Sequence, residues 1–139
     1  MDPLSITCAV ITVGGFAIKC AVQLNKVVHG LQDQNRKTRA LQNELIALLI
    51  VLESLVDTIS AGEPDAAFGT LKDPLQQCGE ACETYSQLLT KLAKHSASTR
   101  PSLRVWLNQK RYWEDVAEFR DYISTYKATI SIAIVNINL

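Results

Sequence analysis

Apolar residues recur at alternating spacings of four and three in four separate segments of the chain. This spacing keeps side chains on one face of an α-helix, so each segment predicts an amphipathic helix. The four stripes are Ile6, Val10, Val13, Ala17, Cys20, Leu24, Val27, Leu31; Leu41, Leu45, Leu48, Leu52, Leu55, Ile59; Leu71, Leu75, Cys78, Cys82, Tyr85, Leu89, Leu92; and Tyr112, Val116, Phe119, Ile123, Tyr126, Ile130, Ala133, Ile137.

Residues typical of helix ends separate the stripes. Asp2 before Pro3 forms an N-cap with a first-turn proline, and Gly30 or the polar residues after it end the first helix. Gly62 and Pro64 end the second helix, and the run from Ser96 to Pro101 is the clearest loop. The predicted helices span residues 3–31, 34–60, 71–94 and 104–137.

Helices of similar length with short connections favour antiparallel packing of consecutive helices. We therefore predict an all-α, up-down antiparallel four-helix bundle, with a short extra helix around Ala66 to Phe68. The bundle forms one domain over residues 1–139, which we expect to be the N-terminal domain of a longer protein. The run from Ile130 to Ile134 alternates as a strand would, but it continues the fourth stripe and is predicted to be helical.

The first helix is more apolar than one buried stripe requires. Leu4, Ile11, Ile18 and Val22 form a second apolar face, and Phe16 adds to the apolar surface outside the stripe. Two explanations stay open. The helix could be central, touched by the other three and by the short extra helix, or its second face could meet a lipid bilayer or a second copy of the chain.

Composition restricts the partners and the compartment. The chain is 47% apolar with fourteen basic and fourteen acidic residues, so its zero net charge does not favour nucleic acid as a partner. No secretory signal precedes the four cysteines, and we expect a cytoplasmic protein with reduced thiols, recruited to the plasma membrane if it binds lipid. The uncharged stretch from Leu4 to Ile18 is shorter than the roughly twenty residues of an ordinary membrane span.

No motif predicts catalysis, and we expect a non-enzymatic protein with no cofactor, metal or small-molecule substrate. His29 and His95 fall near helix ends without a neighbouring nucleophile. Cys78 and Cys82 have a spacing that could hold two metal ligands, but they lie on the core stripe and no further ligands join them. We interpret both as buried core residues.

Two basic groups are candidates for contact with anionic lipid, since each basic residue near a charged membrane adds about 1 kcal/mol of attraction. The alternative is that both groups are solvated helix entrances. The groups consist of Arg36, Lys37 and Arg39 at the start of the second helix and Arg104, Lys110 and Arg111 at the start of the fourth.

The start of the chain, from Met1 to Thr7, carries the most specific resemblance to a known family. It resembles the HeLo-like N-terminal domains of fungal NLR-type (STAND) proteins, a family also labelled after the azaphilone pigment biosynthesis cluster protein L. Further similarities extend over nearly the whole chain. They are Arg39-Ala40-Leu41 with the leucines that follow; Cys78 with Leu88, Leu89 and Leu92; and Val105-Trp106, Lys110 and Tyr126-Lys127.

The resemblance implies a helical domain related to the HeLo toxins, whose first helix is thought to enter membranes in fungal programmed cell death. We therefore hypothesise a domain that self-associates, as a dimer or higher oligomer, and engages anionic membranes through Leu4, Ile11, Phe16, Ile18 and Val22. The rival hypothesis is a protein interaction or dimerisation module with no membrane activity. Lys19 interrupts the first apolar run, and the chain carries no nucleotide-binding region that could show how such a domain is regulated.

Overall fold

The computed structural model describes the backbone of residues 2–30, 36–96 and 103–138, and the side chains of residues 2–30, 36–91 and 115–137. Within these ranges the chain forms helices and no strand, and the predicted all-α bundle is confirmed. The run from Ile130 to Ile134 is helical, as predicted. The elements are α1 (Pro3–His29), α2 (Arg36–Ala61), a short 3-10 helix (Ala66–Leu71), α3 (Lys72–Ser96) and α4 (Leu103–Asn138).

The ends of the elements follow from local capping. The Asp2 carboxylate accepts a hydrogen bond of 2.7 Å from the Ser5 amide, and Pro3 occupies the first turn, as predicted. Asp65 caps the 3-10 helix by accepting from the Ala67 amide at 2.9 Å. At Gly30 α1 has ended, so the predicted helix extends past the observed one; Leu31, residue 34 and residue 35 lie outside the described residues.

The predicted stripes form the core. Every stripe residue of α2 is buried, and so is every one whose side chain is described in the third stripe. In α1 and α4 most described stripe residues are buried and the others are half-buried. The half-buried residues are Ile6, Val13, Val27, Tyr126, Ala133 and Ile137. Leu31, Leu92 and Tyr112 lie outside the described side chains. Twelve of the bundle's fully buried large side chains come from these stripes, among them Leu24, Leu48 and Ile123.

The helices alternate in direction along the chain, but the closest neighbours in space are not all antiparallel. Gly69, in the 3-10 helix, lies beside Ile6 of α1, and Gly79, in α3, lies beside Phe16 of α1. Both segments therefore advance in the same direction, so α3 runs parallel to α1. Tyr85 stacks on Phe119 with ring centroids 4.2 Å apart, and α4 returns antiparallel to α3.

Around the bundle the order of helices is α3, α1, α2 and α4, and the backbones of α3 and α4 come close at fewer positions than those of the other neighbouring helices. Helices α2 and α4 are both antiparallel to the parallel pair α1 and α3, so α2 runs parallel to its neighbour α4. An ion pair of 3.1 Å between Lys127 and Glu44 links these two helices.

Two glycines allow α1 to approach its neighbours closely. A Cβ atom at Gly79 would lie 2.5 Å from Phe16 Cε1 and 3.3 Å from the Ala17 Cα, so α3 could not keep its present distance from α1. A Cβ atom at Gly14 would lie 2.8 Å from Val56 Cγ2 on α2. Gly15 differs from both, because a Cβ atom there would meet nothing within 4 Å.

The two kinds of glycine predict opposite effects of substitution by alanine. We expect Gly15→Ala to raise the free energy of unfolding by about 1 kcal/mol, because alanine favours a helix and the new methyl group is unobstructed. We expect Gly79→Ala to lower it by about 1 to 3 kcal/mol, because the methyl group must displace the Phe16 ring or α1 itself. Urea unfolding followed by circular dichroism measures both. Equal effects of the two substitutions would show that the α1–α3 contact is not as close as described.

Candidate functional site

The second apolar face of α1 is unevenly exposed. Leu4 is 60% exposed, whereas Ile11 and Ile18 are half-buried and pack against the core. Val22 is also half-buried. By helical periodicity Ile11, Ile18 and Val22 lie on the flank of α1 that faces α2, so only Leu4 projects largely into solvent.

Phe16 does not share this face. Its ring edge lies over Gly79, which places it on the opposite flank of α1 in the contact with α3. The five residues predicted to face a membrane or partner therefore divide into an exposed tip at Leu4, a half-buried flank along α2 and one ring in the α3 contact.

Neighbouring elements account for part of the excess apolarity of α1. Helices α2 and α3 and the 3-10 helix pack against it, while the described residues of α4 make no extensive contact with it. Within this part of the chain α1 is therefore central but not surrounded by all the other helices. A strip of α1 that carries polar or small side chains remains exposed. The strip consists of Ser5, Cys8, Thr12, Gly15, Lys19, Gln23 and Lys26.

Among the described residues, α1 is the one helix that is long and apolar enough to cross a membrane by length and composition. Its 27 residues make it longer than the uncharged stretch alone suggested. The core helix of a soluble protein passes the same test, but such a helix is mostly buried. Only 33% of the most apolar 18-residue window of α1 is buried inside the bundle.

The predicted lipid-binding basic residues lie at the other end of the molecule from Leu4. Arg36, Lys37 and Arg39 are exposed in the first turn of α2, beside the C-terminal end of α1. The antiparallel arrangement puts them about 35 to 40 Å from Leu4. The side chains of the second basic group, Arg104, Lys110 and Arg111, lie outside the described residues.

The end of the bundle that carries Leu4 is mainly acidic. Thr7 in α1 accepts a hydrogen bond of 3.2 Å from the Asp65 amide, which holds the start of α1 beside the segment before the 3-10 helix. Among the described side chains around this contact, four acids and one base are exposed. They are Asp2, Glu63, Asp65, Asp73 and Lys72.

The sequence pattern did not single out an exposed pair of isoleucines on α2. Ile46 is 48% exposed and Ile50 is 63% exposed, on the side of α2 opposite its core stripe. Their spacing of four residues, at positions outside the buried stripe, is the feature of the sequence that could have identified them. Two further exposed residues, Ile132 and Val135, lie near the end of α4.

An open groove of about 700 Å³ runs between the C-terminal halves of α1 and α3. Lys19, Lys91 and Glu83 put charges of both signs around it, so the groove presents no consistent electrostatic preference for one class of ligand. Its remaining lining residues are Phe16, Cys20, Gln23, Ser86, Gln87 and Thr90.

Cys78 and Cys82 are buried core residues, as predicted. The hydrogen bond with the Cys78 thiol, together with burial, raises the pKa of Cys82 well above that of an ordinary cysteine. Burial also raises the pKa of Cys20, which lies near this pair. Among the described side chains, no three metal-ligating groups converge.

The cysteines should therefore fall into two classes of reactivity, because the thiolate is the reactive form and needs solvent access. We expect Cys8, which is exposed, to react at once with a thiol reagent at neutral pH. Cys20, Cys78 and Cys82 should react only as the protein unfolds. Counting thiols with and without denaturant tests this, and Cys8→Ser should remove the rapid phase. A second rapid thiol would contradict the described burial.

The comparisons with known proteins identify the family. The family model described as pigment biosynthesis cluster protein PigL N-terminal matches residues 1–139. The chain belongs to this family, which agrees with the resemblance found in its sequence. No match was found among the curated proteins or among the solved structures.

Proposed function

We propose that this helical N-terminal domain acts without catalysis, by self-association and membrane engagement, in fungal NLR-type signalling or programmed cell death. In this proposal the protein is cytoplasmic and is recruited to the plasma membrane, where α1 is the element that enters the bilayer. The observation that carries the proposal is α1 itself, a helix long and apolar enough to cross a membrane, whose most apolar window is 33% buried inside the bundle.

The N-terminal half of α1 can leave the bundle at a lower cost than its C-terminal half, because Val10 is the one large apolar side chain between Asp2 and Gly14 that is fully buried. Its described attachments to the 3-10 segment are the Thr7 hydrogen bond to Asp65 and the packing of Ile6 beside Gly69. Glycines weaken a helix by about 1 kcal/mol each relative to alanine, so Gly14 and Gly15 make a natural pivot.

Beyond the pivot α1 can remain in place. Ala17, Ala21, Leu24 and Val28 are fully buried, so release of the whole helix would open the core. The segment before Gly14 is about 15 Å long as a helix, half the thickness of the bilayer's hydrocarbon core. Movement about the glycines would therefore insert this segment into one leaflet rather than across the membrane.

Charge constrains how the bundle approaches a membrane. An end-on approach with Leu4 foremost would bring the acidic end against anionic lipid and be repelled. If the bundle lies along the surface, Arg36, Lys37 and Arg39 can contact head groups while Leu4 contacts the acyl boundary. The separation of the two sets thus favours a bundle lying flat.

The exposed tip of α1 provides the first test. We expect Leu4→Glu to reduce flotation with anionic vesicles by about tenfold or more, because a charge cannot be buried cheaply at the acyl boundary. Ile132→Glu is a matched control, since Ile132 is 63% exposed against 60% for Leu4 and lies on α4. Equal flotation of both variants and the unmodified protein would exclude Leu4 as the membrane contact.

A disulfide lock provides the second test, of release rather than binding. A Cβ atom at Gly69 would lie 3.3 Å from Ile6 Cγ2, so cysteines at these two positions come within bonding range. We expect the combination of Ile6→Cys and Gly69→Cys, in a Cys8→Ser background, to block vesicle leakage when oxidised and to permit it when reduced. Leakage by the oxidised protein would show that α1 acts without leaving the 3-10 helix.

The rival proposal is a dimerisation module with no membrane activity. The exposed Ile46 and Ile50 favour a protein contact on α2, which is separate from the N-terminal half of α1. A dimer that ignores both anionic and neutral vesicles would support the rival and overturn the membrane proposal.

A further inference from the structure

The outer face of α2 has an ordered sequence of side chains from one end to the other. Arg39 stands near its start, Ile46 and Ile50 lie in the middle, and Glu53 and Asp57 stand near its end. All five are exposed, and by helical periodicity they lie opposite the buried stripe. We name Arg39, Asn43, Ile46, Ile50, Glu53 and Asp57 the outer stripe of α2.

The outer stripe is symmetric about the level of Leu48. Arg39 and Asp57 are each nine residues from that level, and Ile46 and Ile50 are each two residues from it. Asn43 and Glu53 are each five residues away. A second copy of α2 laid antiparallel on the first would therefore bring Arg39 opposite Asp57, Asn43 opposite Glu53, and Ile46 opposite Ile50.

The charges on α2 oppose the dipole of their own helix. A helix favours acidic side chains at its N-terminus and basic ones at its C-terminus, each by about 0.3 to 1 kcal/mol. Helix α2 has Arg36, Lys37 and Arg39 in its first four positions and Asp57 near its end, with no acidic residue in its first turn and no basic residue in its last.

Neighbouring charges within the outer stripe do not compensate for this arrangement. Glu53 and Asp57 are four residues apart, a spacing at which like charges destabilise a helix. Within the described part of the chain, neither Arg39 nor Asp57 makes an ion pair. An antiparallel partner would place an opposite charge at each unfavourable end.

We propose that the outer stripe of α2 binds a second copy of this chain in an antiparallel dimer with twofold symmetry. In such an interface the same patch serves both subunits, so each residue contact occurs twice. The two copies of Ile46 and Ile50 form its apolar centre, and Arg39 pairs with Asp57 of the second copy at each end. This inference deepens the self-association part of the proposed function and is independent of its membrane part.

The dimer should be weak and sensitive to salt. The outer stripe is about 27 Å long and one helix wide, which is small beside a standard stable protein interface. Its outer contacts are exposed ion pairs, which salt screens. We therefore expect association that grows with concentration and falls as ionic strength rises.

Charge exchange tests the pairing. We expect Arg39→Glu and Asp57→Arg each to weaken self-association by about tenfold or more, because each puts like charges opposite one another twice. An equal mixture of the two variants should associate as the unmodified chain does, because opposite charges again face each other. The chain that carries both substitutions should also self-associate. Sedimentation velocity over a concentration series measures all four samples.

The controls separate this effect from folding and from net charge. Both substitutions make α2 agree with its dipole, so neither variant should unfold at a lower urea concentration than the unmodified chain. Lys72→Glu and Glu80→Arg change the net charge by the same amounts at exposed positions on α3, and should leave association unchanged. A loss of association in the controls would assign the effect to net charge and overturn the proposal.

Three further outcomes would also overturn it. They are an unmodified chain that stays monomeric at millimolar concentration, a dimer that both substitutions leave intact, and two weakened variants whose mixture does not associate. Vesicle flotation of the Asp57→Arg variant separates this inference from the membrane proposal, since it changes no residue assigned to lipid contact. If this monomeric variant still floats with vesicles, the membrane proposal is retained whether or not the dimer forms.

Discussion

The close approach of α1 to α2 and α3 is the contact on which the rest of the bundle depends. It is possible because α1 presents Gly14, Ala17 and Ala21 along its buried side and because α3 presents Gly79 at the level of Phe16. Small residues bring the helix axes together, and the larger leucines of α2 then fill the space that remains. Helix α4 packs closely on α2 and meets α3 through larger side chains, among them the stacked rings of Tyr85 and Phe119, so the close backbone approach does not depend on it.

Periodicity predicted the core because burial along one helix depends on which side faces its neighbours. The spacing of apolar residues along the sequence shows which side that is. Residues such as Leu45, Leu52 and Ile59 were therefore identifiable before any partner helix was known. The neighbours themselves were not identifiable from spacing. A parallel α1–α3 contact through Gly79 and Phe16 depends on how the connection between α2 and α3 crosses the bundle. The spacing of apolar residues within α2 or α3 does not show the path of that connection.

The candidate surfaces were harder to predict for the same reason. A helical wheel placed Ile18 and Val22 on a second apolar face, but it could not show that α2 covers part of that flank. Phe16 looked equivalent to them until Gly79 placed it on the other flank. Conversely, the pattern of buried stripes did not identify the exposed Ile46 and Ile50, because they lie on the side of α2 opposite its stripe.

Apart from Arg39, which the dimer pairs with Asp57 of the second copy, the two proposed surfaces are compatible because they occupy different sides of α2. Helix α1 lies against one flank of α2 and α4 against the other, with the outer stripe between them. A twofold axis through the centre of the stripe, perpendicular to the helices, carries both copies of α1 to the same side of the dimer. Both N-terminal segments would then face one plane, where a flat membrane could accept them together, and the second insertion would become effectively intramolecular. Weak pairing through α2 could in this way strengthen membrane attachment without any new contact to lipid.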